Sequence, residues 1–266
     1  MNAVKASPHF DPGKLIAEFD AAGRARGFRV ETMGEIGGYP LIALTKRTPG
    51  VRPRIYLSSG IHGDEPAAPG ALLEMLKLGW FTDRADWFIC PVLNPMGLAL
   101  GTRENAGGID LNRDYRGLPK SPEIRAHVDW LNRQPRFDLF LCVHEDWESV
   151  GYYLYEVNPY KKPSFAEAAI SEVEKICPID RSEVIDGHVC VGGIVRAIKP
   201  PEERELWAEA VYLRTLYGQL GYTLESPSAF DFQQRVTAHI IAIQTIVFGV
   251  IGGGQPTLPT VNRTQT

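Results

Sequence analysis

The sequence predicts an α/β fold in one domain: a mixed, mostly parallel twisted sheet with helices on both faces. Three observations carry that expectation. Short apolar runs alternate with segments of helical period along most of the chain, the pattern of strands joined by crossover helices. Several of these runs (RIYLSS, DWFICPV, FDLFLCV) hold three or more consecutive apolar residues, as strands covered on both faces do. No shift in composition marks a boundary, so residues 1–252 read as one unit and 253–266 as a polar tail.

Phe10–Arg26 reads as a first helix. FRVETMGEIGGYPLIALTKRT reads as two strands joined by Gly37-Gly38, a hairpin signal. RIYLSSGI is a strand, and Pro66–Trp80 is a helix with proline in its first turn. DWFICPVLN is a buried strand, followed by a polar, glycine-rich loop, NPMGLALGTRENAGGIDLNRDYRG. SPEIRAHVDWLNRQ is a helix whose Ser121 and Glu123 suggest a capping box. FDLFLCVHED and GYYLYEVN are strands, and Ser164–Ile176 is a helix. Ile185–Ile198 reads as loop with short strands, Pro201–Tyr217 as a helix, YTLESPS as a strand and Phe230–Ile251 as a closing helix.

The composition narrows the function. The chain has 266 residues, 44% hydrophobic and 23% charged, enough to bury a large core. With 28 basic and 32 acidic residues the net charge is -4, which argues against a broad nucleic-acid surface. The N-terminal segment lacks the apolar stretch of a signal peptide. The longest apolar stretch, HIIAIQTIVFGVIGG, is broken by Gln and Thr and reads as a core helix rather than a membrane span. Cys90, Cys142, Cys177 and Cys190 show no CxxC spacing, so a reduced, cytoplasmic protein is expected, with no membrane or nucleic-acid partner.

The chemistry lies where the buried strands end. RIYLSS runs into GIHGDEP, which places His62 and Glu65 three residues apart at a strand-to-helix turn. FDLFLCV ends at His144, followed by Glu145 and Asp146, and YTL ends at Glu225. In a parallel sheet the C-terminal strand ends share one rim, so these groups converge by topology. Two histidines and a glutamate form a common catalytic zinc set with one coordination position left open. The glycines of GIHGDEP are expected to keep the backbone out of the ion's way. Glu225 is the candidate general base. The long loop adds Arg103, suited to an oxyanion, and Asn112-Arg113, suited to gripping a carboxylate.

HGDE, GTRENAGGIDLNRDY, the strand-end His144 and the late TLE together resemble the zinc metallocarboxypeptidases of the carboxypeptidase A type. The likeness runs from about Arg54 to Ile251 and is greatest to the short bacterial branch that includes murein peptide amidases. HxxE alone is a weak signal, and the ordered set is a strong one. The resemblance implies a phosphorylase/hydrolase-like, carboxypeptidase-like sheet and one Zn2+ per chain on His62, Glu65 and His144. It implies that Arg103 polarises the scissile carbonyl, that Asn112 and Arg113 hold the terminal carboxylate, and that Glu225 is the base. The implied substrate is a small peptide with a free carboxylate that loses its C-terminal amino acid, with cell-wall peptides among the candidates.

The larger members of the family close a tyrosine over the substrate from a loop about twenty residues before the catalytic glutamate. Here Tyr212 and Tyr217 fall in a helical segment, and that role has no assignment from sequence. Aspartoacylase and succinylglutamate desuccinylase share HxxE and DLNR and define an N-acyl-amino-acid deacylase alternative. In them a β-rich domain follows the catalytic glutamate, whereas 41 residues follow Glu225 here, which favours the peptidase. Glu145 and Asp146 are expected either to orient the ligands or to be solvated. Asp110 either turns the DLNR loop or accepts a bond from a ligand histidine. His188 reads as a loop residue at the pocket mouth.

Overall fold

The computed structural model describes residues 10–196, 200–217 and 220–252. The expected tail over 253–266 lies outside them, as does the end of the segment expected to be loop up to Ile198. The chain opens with α1 (Pro12–Ala25), whose Asp11 carboxylate accepts hydrogen bonds from the Gly13 and Lys14 amides. β1 (Arg29–Ile36) and β2 (Tyr39–Lys46) form the expected hairpin, and Gly37 and Gly38 both take positive φ at its turn, which glycine allows without strain. Then follow β3 (Arg54–Ser58), α2 (Ala67–Lys77), β4 (Asp86–Cys90), α3 (Pro95–Leu100), α4 (Pro122–Leu131), β5 (Leu139–Asp146) and β6 (Tyr153–Val157). α5 (Ala166–Val173), β7 (Val184–Ile185), β8 (His188–Val191), β9 (Ile194–Arg196), α6 (Glu209–Tyr217), β10 (Leu220–Pro227) and α7 (Phe232–Ile251) complete the order.

The strands form a single sheet in the order β1-β2-β4-β3-β5-β10-β6-β9-β8-β7. Its centre, β4-β3-β5-β10, is parallel, and β2 and β6 flank that centre antiparallel. Side chains alternate along the central strands into two cores. On β3, Ile55 and Leu57 face one core and Tyr56 the other; on β5, Leu139, Leu141 and Val143 oppose Phe140 and Cys142. α1, α2, α5 and α7 cover the first core, and α4 and α6 the second. α7 is long and apolar enough to cross a membrane by length and composition, but Val236, Ile240, Ile243 and Val247 on it are buried in the first core, against α2 and α5.

Three local expectations are corrected. Ser121 caps α4 by accepting from the Ile124 amide, but Glu123 does not close a capping box; its carboxylate accepts from Asn105 Nδ2 at 3.2 Å. The segment expected to be helical from Pro201 to Tyr217 is helical only from Glu209, after a single 3-10 turn at Pro201–Glu203. Between them the backbone is drawn out beside the DLNR loop: Trp207 bridges to Asp114, and its carbonyl accepts from the Tyr115 amide at 3.3 Å. Gly63 serves packing rather than ion clearance, since a Cβ there would lie 1.8 Å from the Gly97 carbonyl carbon of α3.

The second core contains a buried polar chain. Tyr115 hydroxyl bonds His127 Nδ1 at 2.8 Å, His127 Nε2 bonds Tyr56 hydroxyl at 2.9 Å, and Tyr56 donates to Glu209 Oε1 at 2.6 Å. Because the Tyr56 proton is committed to Glu209, Nε2 must carry the imidazole proton and Nδ1 must accept from Tyr115. Burial pushes the His127 pKa down to about 3. A histidine with a depressed folded pKa contributes stability that is present at neutral pH and lost as pH falls below the unfolded value. The stability advantage of the native protein over a His127→Gln variant is therefore expected to shrink by about 2 kcal/mol between pH 7 and pH 5. Urea unfolding of both proteins at the two pH values measures it, and a gap independent of pH would show that His127 is protonated in the fold.

Candidate metal centre and substrate cavity

His62 leaves the turn after β3, Glu65 precedes α2, and His144 sits on β5 beside β3. The three are 2–3% exposed, and each offers a ligand atom within 4.8 Å of the others. His62 Nδ1 lies 2.5 Å from Glu65 Oε1, and His144 Nδ1 lies 2.9 Å from Glu65 Oε2. Asp110 fills both roles left open for it. Its Oδ1 accepts from the Asn112 amide at 2.9 Å, capping the 3-10 turn Leu111–Arg113, and faces His62 Nε2 at 3.2 Å. That contact holds the proton on Nε2 and points Nδ1 at the cluster.

The electrostatics suit a cation. Burial pulls the His62 imidazolium down, but Glu65 and Asp110 outweigh it and raise its pKa to about 9. Burial pushes Glu65 up, yet the two histidines hold it well below the ordinary carboxylate value. A buried His/Glu/His set already stabilised by positive charge on its carboxylate fits a divalent ion, which would replace the two protons.

The remaining candidates surround a cavity of about 460 Å³ that opens onto these ligands. Arg103 Nε binds Asp110 Oδ2 at 3.2 Å, and Nη1 lies 3.7 Å from Glu65. Arg113 Nη1 donates to the Asn112 carbonyl at 2.8 Å. Asn112 Oδ1 accepts from the Glu209 amide at the start of α6, at 2.8 Å, which leaves its Nδ2 as a donor. Glu225 is paired with His144 across the β5–β10 register and with Tyr153 on the other side. Burial pushes its carboxyl well up against the pull of His144, with Glu65, Asp146 and Asp186 adding to the rise.

The neighbours of His144 act otherwise than expected. Glu145 accepts from the Ala67 amide at 2.5 Å and pairs with Arg235 of α7, so it fixes the start of α2 rather than a histidine. Asp146 accepts from the Tyr153 hydroxyl at 2.9 Å. His188 lines the cavity from β8.

Sequence reasoning missed four residues. Tyr212 and Tyr217 bond Asn132 and the Leu131 carbonyl and do not line the cavity, whereas Tyr153 and Tyr155 do. The i, i+2 spacing in GYYLYEVN was the available signal. Glu209, 1% exposed, accepts from Tyr56 and from Ser58 Oγ at 2.8 Å, tying α6 to β3. Arg235, equally buried, gave no signal because its helix reads as apolar.

Known proteins resemble this chain in fold and over part of its sequence. Residues 51–176 match the family model of the succinylglutamate desuccinylase/aspartoacylase catalytic domain, a span that contains every candidate site residue except Glu225. Carboxypeptidase SOL1 of Arabidopsis thaliana is 30% identical over 144 residues, 44% of this chain and 28% of that one. Carboxypeptidase D of Anas platyrhynchos is 29% identical over 166 residues, 47% of this chain and 12% of that one. The chain thus spans less than a third of the length of either relative. Among solved structures, a protein of Shewanella amazonensis assigned as a metallopeptidase superposes with a TM-score of 0.78 at 24% identity, over 89% of this chain and 92% of that one. Bovine thrombin-activatable fibrinolysis inhibitor superposes with a TM-score of 0.66 at 16% identity, over 92% and 98%. The chain thus shares the fold of solved metallopeptidase structures, and over about half its length it is similar in sequence to carboxypeptidases and to the succinylglutamate desuccinylase/aspartoacylase catalytic domain.

Proposed function

We propose that the protein is a zinc-dependent metallocarboxypeptidase that removes a C-terminal amino acid from a small peptide. The observation that carries this reading is the meeting of His62, Glu65 and His144 with Arg103, Arg113 and Glu225 around one cavity. Zinc held by the three ligands would supply Lewis acidity at the scissile carbonyl. Arg113, with the free Nδ2 of Asn112, binds the terminal carboxylate. Arg103 faces the developing oxyanion from beside Glu65. Glu225 accepts a proton from the attacking water on a carboxylate oxygen and passes it to the leaving amine nitrogen.

Amidating the peptide C-terminus removes the charge that Arg113 pairs with. Losing such a pair costs roughly 2–5 kcal/mol, or about 30- to 5,000-fold in kcat/KM. Paired assays of free-acid and amidated peptides measure the loss, and equal turnover would overturn the carboxypeptidase reading. The match to the desuccinylase/aspartoacylase domain supports a second reading, an N-acyl-amino-acid deacylase. Including N-succinyl- and N-acetyl-amino acids in the same screen separates the two, because only a peptidase prefers an aminoacyl group on the acyl side. Cell-wall peptides, including γ-linked ones, belong in that screen.

A further inference from the structure

We propose that Glu209 is a positioning residue for the substrate carboxylate, acting through Asn112, whose Nδ2 it holds toward the cavity. This deepens the proposed carboxypeptidase function and rests on it for the identity of the bound group.

Glu209 is anchored at one end and engaged at the other. Its carboxylate accepts from the Tyr56 hydroxyl at 2.6 Å and from Ser58 Oγ at 2.8 Å, both on β3. Its backbone amide donates to Asn112 Oδ1 at 2.8 Å. Amide and carboxylate belong to one residue at the start of α6, so the central strand β3 fixes where the amide points. The first amides of a helix have no acceptor within it. Asn112 Oδ1 supplies one here, and the contact sets the orientation of the Asn112 side chain. The oxygen faces α6, and Nδ2 is the group left to face a ligand in the cavity that Asn112 lines.

The loop reaches the same residue by a second route. Tyr115, three residues after Asn112, bonds His127, His127 bonds Tyr56, and Tyr56 donates to Glu209. Two lines of hydrogen bonds from the loop therefore end on Glu209, one on its amide and one on its carboxylate. Packing alone does not call for an acid at this position. Glu209 is 1% exposed, and burial raises its pKa against the pull of its hydroxyl donors. A leucine would avoid that desolvation but would leave Tyr56 and Ser58 without an acceptor. The carboxylate adds two charge-assisted bonds from β3, which leave the start of α6 little freedom. Without them Asn112 loses a fixed donor and can turn its oxygen toward the cavity, where it would repel a carboxylate.

The test measures kcat and KM separately for an N-acyl dipeptide with a free C-terminus. The zinc-loaded wild type is compared with Glu209→Ala, Asn112→Ala and the double variant. Glu209→Ala is expected to raise KM by about tenfold while kcat stays within about twofold. In the Asn112→Ala background the same substitution should raise KM no further, because Glu209 acts through that side chain. A purely structural role would lower kcat with the melting temperature and would add to the Asn112 effect. An unchanged KM in a folded Glu209→Ala, or effects that add in the double variant, would overturn the assignment. Should Glu209→Ala not fold, Glu209→Gln takes its place. It keeps the volume but sets an amide donor against two donating hydroxyls, and the same pattern is expected. If the wild type cleaves no peptide, the peptidase reading fails on its own. The side-chain amide resonance of Asn112 in 15N-labelled protein, assigned by its loss in Asn112→Ala, then decides the positioning. A resonance that moves on substitution of Glu209 sustains it, and one that stays in place refutes it.

Discussion

Glu225→Gln is expected to lower kcat by about 10²–10⁴-fold while leaving metal content and folding unchanged. The substitution keeps the side chain's length and hydrogen-bonding reach but removes its ability to take a proton. Glu225 stands directly beside His144 in the sheet register and, among the described residues, forms no ion pair, so the substitution removes no candidate ligand and no salt bridge. KM should change little, because the substitution leaves Asn112 and Arg113, the proposed carboxylate-binding pair, untouched. Burial drives the carboxyl up, and a divalent ion held by the neighbouring His62, Glu65 and His144 would counter that rise and favour the ionised base. A variant that keeps more than about a tenth of the wild-type kcat would exclude Glu225 as the base. A lowered melting temperature with only a modest rate loss would mark it as structural.

Arg235→Met is expected to destabilise the fold by about 3–5 kcal/mol. Arg235 and Glu145 are a pair in the deep interior, 1% and 0% exposed in their side chains. The arginine also donates to the Phe230 carbonyl at 3.1 Å and stacks near the Phe232 ring. Even with that partner, burial raises the Glu145 pKa to about 7. Without it the carboxyl must protonate or stay charged in an apolar surround. At about 2–4 °C per kcal/mol for a chain of this size, the melting temperature should fall by roughly 6–20 °C. Arg235→Met combined with Glu145→Gln removes both charges and should recover a large part of the loss. If the double variant is no more stable than the single one, the stranded charge is not the cause.

How much of this was legible in the sequence depended on the range of the interactions. The strands and most helices followed from local periodicity, since the runs at RIYLSS and FDLFLCV need only their own residues to show burial on both faces. The candidate site was legible because His62, Glu65, His144 and Glu225 each mark a strand end, and parallel topology brings those ends together. What was not legible depended on partners distant in the chain. The 204–208 segment looks helical alone, but is drawn out where Trp207 and Asn112 tie it to the DLNR loop. Glu145 looked like a helper of His144 by adjacency, but β alternation turns it to the opposite face, toward α7. Glu209 and Arg235 carry charges that composition assigns to the surface, and only their partners on β3 and β5 explain their burial.

The central claim is that His62, Glu65 and His144 hold one catalytic metal ion. The most direct measurement is elemental analysis of the purified wild type beside His62→Ala and His144→Ala. The account predicts close to one zinc per chain in the wild type and loss of most of it in both variants, because each substitution removes one of three protein ligands. Undiminished zinc in both variants would contradict it.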